Sequence, residues 1–153
     1  MPLTINGADG LRALAGQDLG ATAWSPMSFE RIQAFADATD DHQWIHVDRD
    51  RIAKESPFGA PIAHGYLTLA LVAGRFFELL DLQGFQMVIN YGTNKVRFPN
   101  PLKEGKNWRL SLKLGDVTDK GDWLEAIFLA TIEIEGEKKP ACVAELAYRF
   151  LPA

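Results

Sequence analysis

All three histidines of the chain, His42, His46 and His64, fall within one stretch of 23 residues. The first two lie in Ala38-Thr39-Asp40-Asp41-His42-Gln43-Trp44-Ile45-His46-Val47-Asp48, which also holds three carboxylates and an amide. Imidazoles titrate near neutral pH, and beside carboxylates they are equipped for general acid–base chemistry. Metal ligation is the competing chemistry, since His42 and His46 stand four apart with acids nearby. That spacing unites two imidazoles only on a helix, and this segment reads as a loop, so no metal is expected. The chain carries no Gly-x-Ser-x-Gly elbow and no phosphate-binding P-loop, which leaves serine hydrolases and nucleotide hydrolases without support.

Two capped helices hold this loop. Ser28 is a good N-cap, with Met27 and Ile32 placed as a hydrophobic staple. Phe29, Ile32, Phe35 and Ala36 share one face of a helix that runs out near Thr39-Asp40. Asp48 reads as the second N-cap, with Val47 and Ile52 as its staple, and Pro57 stops that helix. Pro57 to Pro61 is loop. From His64 to about Asp81 the chain is apolar nearly all round, and a helix without a polar face must be wrapped by something else.

The second half supplies the wrapping. Trp108, Leu110, Leu112 and Leu114 alternate with Arg109, Ser111 and Lys113, the period of a half-buried strand. Leu124 to Ile134 and Cys142 to Phe150 repeat that alternation, separated by turns at Thr118–Asp122 and Gly136–Pro140. Met87 to Phe98 makes an earlier strand with a bulge at Gly92, and Ala21 to Ser25 a short fifth. The four long strands predict an antiparallel meander. The expected architecture is α+β: one hot-dog domain over 1–153, an antiparallel sheet curled around a central buried helix. Ile127 and Leu129 point away from that core and are expected to meet another layer or a second subunit. Cys142 falls on the apolar face of its strand, as inert core.

Three separated segments carry a family resemblance. Asp41-x-Gln43-x-Ile45-His46-x-Asp48, then Pro61-Ile62-Ala63-His64-Gly65 opening the buried helix, then Asn90-Tyr91-Gly92-x-Asn94-Lys95-Val96-Arg97-Phe98-Pro99, resemble the MaoC-like (R)-specific enoyl-CoA hydratases, and within them the NodN-like subgroup. The resemblance spans roughly residues 20 to 150. It implies a catalytic pair, Asp41 and His46, holding one water that adds across the double bond of a trans-2-enoyl thioester. Water is a weak nucleophile, so the two groups together must take a proton from it and return one to the α-carbon. Charge developing on the thioester oxygen needs a fixed donor, for which the Gly65 N–H at the helix start is suited. Gln43, His64, Asn90 and Arg97 complete the candidate substrate-binding set, with His64 more a brace of the loop than a proton carrier. His42 is expected to be exposed or dimer-facing.

The chain departs from the family's Gly-Asp-x-Asn-Pro by carrying Asp40, Gln43 and Trp44. If the family glycine serves a left-handed helix end, Asp40 must adopt that conformation at some cost. Some family members place a hydroxyl from the buried helix near the catalytic acid, and Thr68 is the plausible substitute here. Three alternatives share the fold: an acyl thioesterase, an acyl-carrier-protein dehydratase, and a non-catalytic acyl-CoA-binding module.

Composition narrows the setting. The chain has 153 residues, 47% hydrophobic, a net charge of −4 and one cysteine, so neither a disulfide scaffold nor a cysteine-based zinc site is available. Nucleic acid is a poor partner for a mildly acidic chain. The N-terminus shows no signal pattern and no stretch is long enough to span a bilayer, so a cytoplasmic location without membrane partners is expected. The charge is uneven: Lys95 to Lys113 holds six basic residues against Glu104 alone, and five acids lie between Asp37 and Asp50. Such a basic segment suits the phosphates of coenzyme A, or equally reads as outward strand lysines that discourage edge aggregation. Acyl-CoA is expected as substrate with no cofactor, and a homodimer as the assembly.

Overall fold

The computed structural model describes residues 1–153. Its elements are β1 (Leu3–Asn6), α1 (Gly7–Ala13), β2 (Asp18–Ala21), β3 (Ser25–Pro26), α2 (Phe29–Thr39), α3 (Trp44–Val47), α4 (Arg49–Glu55), α5 (Gly65–Leu79), β4 (Leu80–Gln83), β5 (Phe85–Arg97), β6 (Asn107–Lys120), β7 (Trp123–Ile134) and β8 (Cys142–Pro152). The main sheet is antiparallel in the order β2-β6-β7-β8-β5, with β3 also on β6. Strand alternation builds the core face. Trp108, Leu110, Leu112 and Leu114 are buried, and Leu110 and Leu112 stand opposite Ile132 and Ala130 of β7.

The meander holds for β6, β7 and β8 but not for β5. That strand pairs with β8, at the far edge from β6. The reason lies in the connection from Phe98 to Lys106, which is longer than a hairpin loop and stiffened by Pro99 and Pro101. It crosses the start of α5 instead, where the Ala63 N–H donates to Leu102 O at 2.7 Å and the Glu104 N–H to Pro61 O at 2.8 Å. Phe98 to Leu102 are thereby carried onto the segment that holds His64 and Gly65. A register shift between Asn90 and Gly92 confirms the bulge, one of three along β5.

Helix α5 lies on the concave face through Leu67, Thr68, Val72 and Phe76. Phe76 is fully buried, stacked on Tyr148 at 4.9 Å and edge-on to Phe128 at 4.9 Å. Truncating it to alanine costs about 3–5 kcal/mol. The wrapping is incomplete in a single chain, because Tyr66, Ala70, Ala73 and Phe77 form an open apolar stripe. The helix also stops at Leu79, and the chain continues as β4, paired in parallel with β1. The elements β1, α1 and β4 lie outside the sequence expectation. No helix is long and apolar enough to cross a membrane.

Both predicted caps form. Ser28 Oγ accepts the Arg31 N–H at 3.2 Å, and Asp48 Oδ1 accepts the Arg51 N–H at 3.0 Å. Asp40 closes α2 in the left-handed region at φ 59° and ψ 17°, the only non-glycine residue at positive φ.

Candidate active site

The segment between the two caps is not a plain loop. Residues Trp44–Val47 wind into a single helical turn, α3, in which the His46 N–H bonds Gln43 O at 3.0 Å. This turn swings His46 inward while Asp41 and Gln43 remain exposed. His46 is 6% exposed and His64, the N-cap of α5, only 2%. A carboxylate oxygen of Asp41 and a ring nitrogen of each histidine lie within 4.8 Å of one another. Two groups that share one water at normal hydrogen-bond lengths stand about 4.5 Å apart, so the spacing accommodates that water.

Main-chain carbonyls fix both imidazoles. His46 Nδ1–H donates to Ile62 O at 2.6 Å, which leaves Nε2 with a free lone pair. His64 Nε2–H donates to the Asp41 carbonyl at 2.9 Å. The rings stack with centroids 3.8 Å apart and planes inclined by 23°. Burial pushes His46 below its usual 6.5, the Ile62 bond and Asp41 acting against that shift and His64 with it. A neutral imidazole base is therefore available at pH 7.

The same three residues have the donor types of a metal site, but their geometry is wrong for one. Imidazole nitrogens bind a metal along lone pairs in the ring plane, at about 2.0–2.1 Å for zinc. Stacked rings direct those lone pairs side by side rather than toward one point. His42 stands apart, its Nε2 bonded to Asp37 Oδ1 at 2.8 Å on the exposed surface.

A cavity of about 350 Å³ opens beside the pair, lined by His46, Gly65 and Thr68 together with Phe58, Phe98 and Leu102. Gly65 is the first residue of α5, so its N–H has no acceptor within the helix and sits at the positive end of the dipole. The Thr68 hydroxyl is buried in the wall and donates to Gly65 O at 2.6 Å. Asp41, His46, His64 and Gly65 thus gather around one end of α5, whereas the exposed Gln43 is not in the cavity wall. Asn90 does not join them either. It lines a second hollow of about 220 Å³ between α5 and strands β5 and β8, with Tyr66, Leu69 and Tyr148. Arg97 stands opposite Val143 and lines a hollow on the outer sheet face with Lys95 and Glu145.

Three of the six cations in the basic segment meet acids from neighbouring elements: Lys95 with Glu145 at 4.0 Å, Lys106 with Glu137 at 3.8 Å, and Arg109 with Glu133 at 2.7 Å. The local excess in sequence is therefore diluted across the sheet. Phe58, Phe98 and the Ile62 carbonyl are the site features that sequence reasoning missed. Phe58 sits in a Pro/Gly loop and Phe98 beside Pro99, but neither position reveals its partner. A backbone carbonyl has no side-chain signature at all.

The family model described as "MaoC like domain" matches residues 11–130. The 3-hydroxyacyl-thioester dehydratase Z of Mycobacterium tuberculosis is 44% identical over 149 residues, covering 97% of this chain and 98% of that protein. Nodulation protein N of Rhizobium meliloti is 43% identical over 134 residues, covering 86% and 83%. Among solved structures, the (R)-hydratase from A. caviae shares the fold with a TM-score of 0.69 at 20% identity, over 88% of this chain and 94% of that one. With its antiparallel sheet packed on one long helix, and with two of its three motifs and Phe98 of the third meeting at the start of that helix, the chain belongs to the MaoC-like hydratase/dehydratase family of lyases.

Proposed function

We propose that the protein is an (R)-specific enoyl-CoA hydratase, adding water to a trans-2-enoyl-CoA to give the (R)-3-hydroxyacyl-CoA. The observation that carries this reading is the spacing of Asp41 and His46, within 4.8 Å of each other, with His46 in the wall of a largely apolar cavity. Asp41 and His46 Nε2 hold one water, take its proton as it attacks the β-carbon, and return a proton to the α-carbon. The thioester oxygen lies toward the Gly65 N–H, whose dipole stabilises the developing enolate charge. The chemistry needs no cofactor. The hollow between α5 and β5, with Asn90 at its rim, takes the acyl chain.

Run backwards, the same site dehydrates a 3-hydroxyacyl thioester, and the relative at 44% identity is named for that direction. Arms with coenzyme A and acyl-carrier-protein thioesters separate the two carriers. The reaction itself is tested by incubating the protein with short and medium 2-enoyl-CoAs and identifying the products. A 3-hydroxyacyl-CoA supports hydration, whereas release of free thiol would make the protein a thioesterase. Tight acyl-CoA binding without turnover would make it a binding module.

The working unit is proposed to be a homodimer. β5 is an edge strand of 13 residues with Met87, Ile89 and Tyr91 exposed along it, and α5 separately leaves Tyr66 and Phe77 open. An uncovered edge with that much apolar surface invites pairing with a second copy. Sedimentation of wild type and Ile89→Lys tests it, with a dimer expected for the first and a shift toward monomer for the second.

A further inference from the structure

We infer that His64 is a positioning residue that couples the two members of the catalytic pair. The inference rests on the hydratase reading for its kinetic consequence, but not for its structural one. His64 touches both partners at once. Its Nε2–H holds the Asp41 carbonyl at 2.9 Å, and its ring face lies on His46 at 3.8 Å. No other side chain hydrogen-bonds Asp41, whose carboxylate otherwise accepts only the Gln43 N–H at 3.4 Å.

The coupling matters because Asp41 follows Asp40, a helix end held in the left-handed region without glycine's freedom. An exposed carboxylate on such a turn needs an anchor to keep its distance from a buried imidazole. His64 supplies that anchor from the rigid start of α5. Its Nδ1 is buried and has no hydrogen-bond partner. The polar contact of the ring with the protein is therefore the donor toward Asp41, and its flat face lies on His46. An ordinary core histidine would be expected to satisfy both nitrogens. Here one is left unpaired while the other holds the catalytic loop.

Two substitutions separate the contacts. His64→Phe keeps a ring against His46 and removes the donor to Asp41; His64→Gln keeps a donor and removes the ring. The readouts are kcat and KM on a 2-enoyl-CoA, and the His46 tautomer from two-bond proton–nitrogen spectra of labelled protein. In wild type His46 should show the Nδ1–H tautomer. In His64→Gln, with no ring to hold it over the Ile62 carbonyl, His46 should shift off that acceptor and average between tautomers, with kcat down about tenfold or more and KM within about twofold, as expected for misplacement rather than lost binding. His64→Phe should keep the tautomer and show an intermediate loss of kcat. Wild-type tautomer and wild-type kcat in both variants overturn the inference. So does a loss of activity that tracks loss of folded protein while the tautomer stays unchanged. If wild type hydrates no enoyl thioester, the functional reading fails, and the tautomer in His64→Gln decides the coupling alone.

Discussion

The ring of Phe98 lies directly against Gly65: a Cβ on that glycine would stand 2.9 Å from Phe98 Cδ2 and 3.0 Å from Cγ. The contact joins the crossover after β5 to the first residue of α5, at the wall of the cavity beside His46. Phe98 is 42% exposed, so the ring has room to move.

Gly65→Ala should therefore fold, with Phe98 displaced into the mouth of the cavity. A drop of about tenfold to a hundredfold in kcat/KM is expected, because in the proposed reaction the thioester approaches this N–H closely. Gly65→Ala combined with Phe98→Ala distinguishes the causes. Loss that persists in the double variant belongs to the blocked backbone approach, and recovery belongs to the displaced ring.

Asp40 occupies the left-handed region where much of the family has glycine. Asp40→Gly should stabilise the protein by about 0.5–1 kcal/mol, read as a rise in Tm, since the strain removed slightly exceeds the added freedom of the unfolded chain. Asp40→Val, branched at Cβ, should lower Tm instead. A Tm unchanged by both would mean that the turn bears no strain.

Asp40 also marks how far the sequence could be read. Its conformation followed from the departure at a glycine position, and the caps at Ser28 and Asp48 followed from local hydrogen-bond chemistry. The alternation of Trp108 to Leu114 gave its strand because side-chain period is a local property. The place of β5 beside β8 was not legible, since strand partners are chosen by a crossover whose path depends on tertiary contacts. The convergence of Asp41 and His46 came from motif resemblance, but the turn Trp44–Val47 that orients His46 is too short to leave a periodic signal. The stacking of His64 on His46 joins residues 18 positions apart, and nothing in their types announces it.

The pair His42–Asp37 should give stability a distinct pH dependence. Their hydrogen bond raises His42 above its usual 6.5 and lowers Asp37, also bonded by Gln33, below its usual 3.8. The His42 share is fully present below pH 6.5 and is lost as pH rises through the raised value. The Asp37 share is present above pH 3.8 and is lost as pH falls through the depressed value. These are two views of one exposed interaction, strongest between those limits. His42→Ala should therefore lower Tm at about pH 5 and leave it unchanged at about pH 9, in thermal melts at low salt. An equal effect at both would assign His42 a role other than this ion pair.

The most direct measurement is loss of conjugated enoyl-thioester absorbance on adding the protein to a 2-enoyl-CoA, compared among wild type, Asp41→Asn and His46→Gln. Wild type should turn over, with kcat/KM holding down to pH 6.5 and falling only below it, because burial keeps His46 deprotonated. Each variant should lose about a hundredfold to ten-thousandfold in kcat while remaining folded. Absence of hydration by wild type, or full activity in either variant, would contradict the assignment of Asp41 and His46 as the pair that activates water.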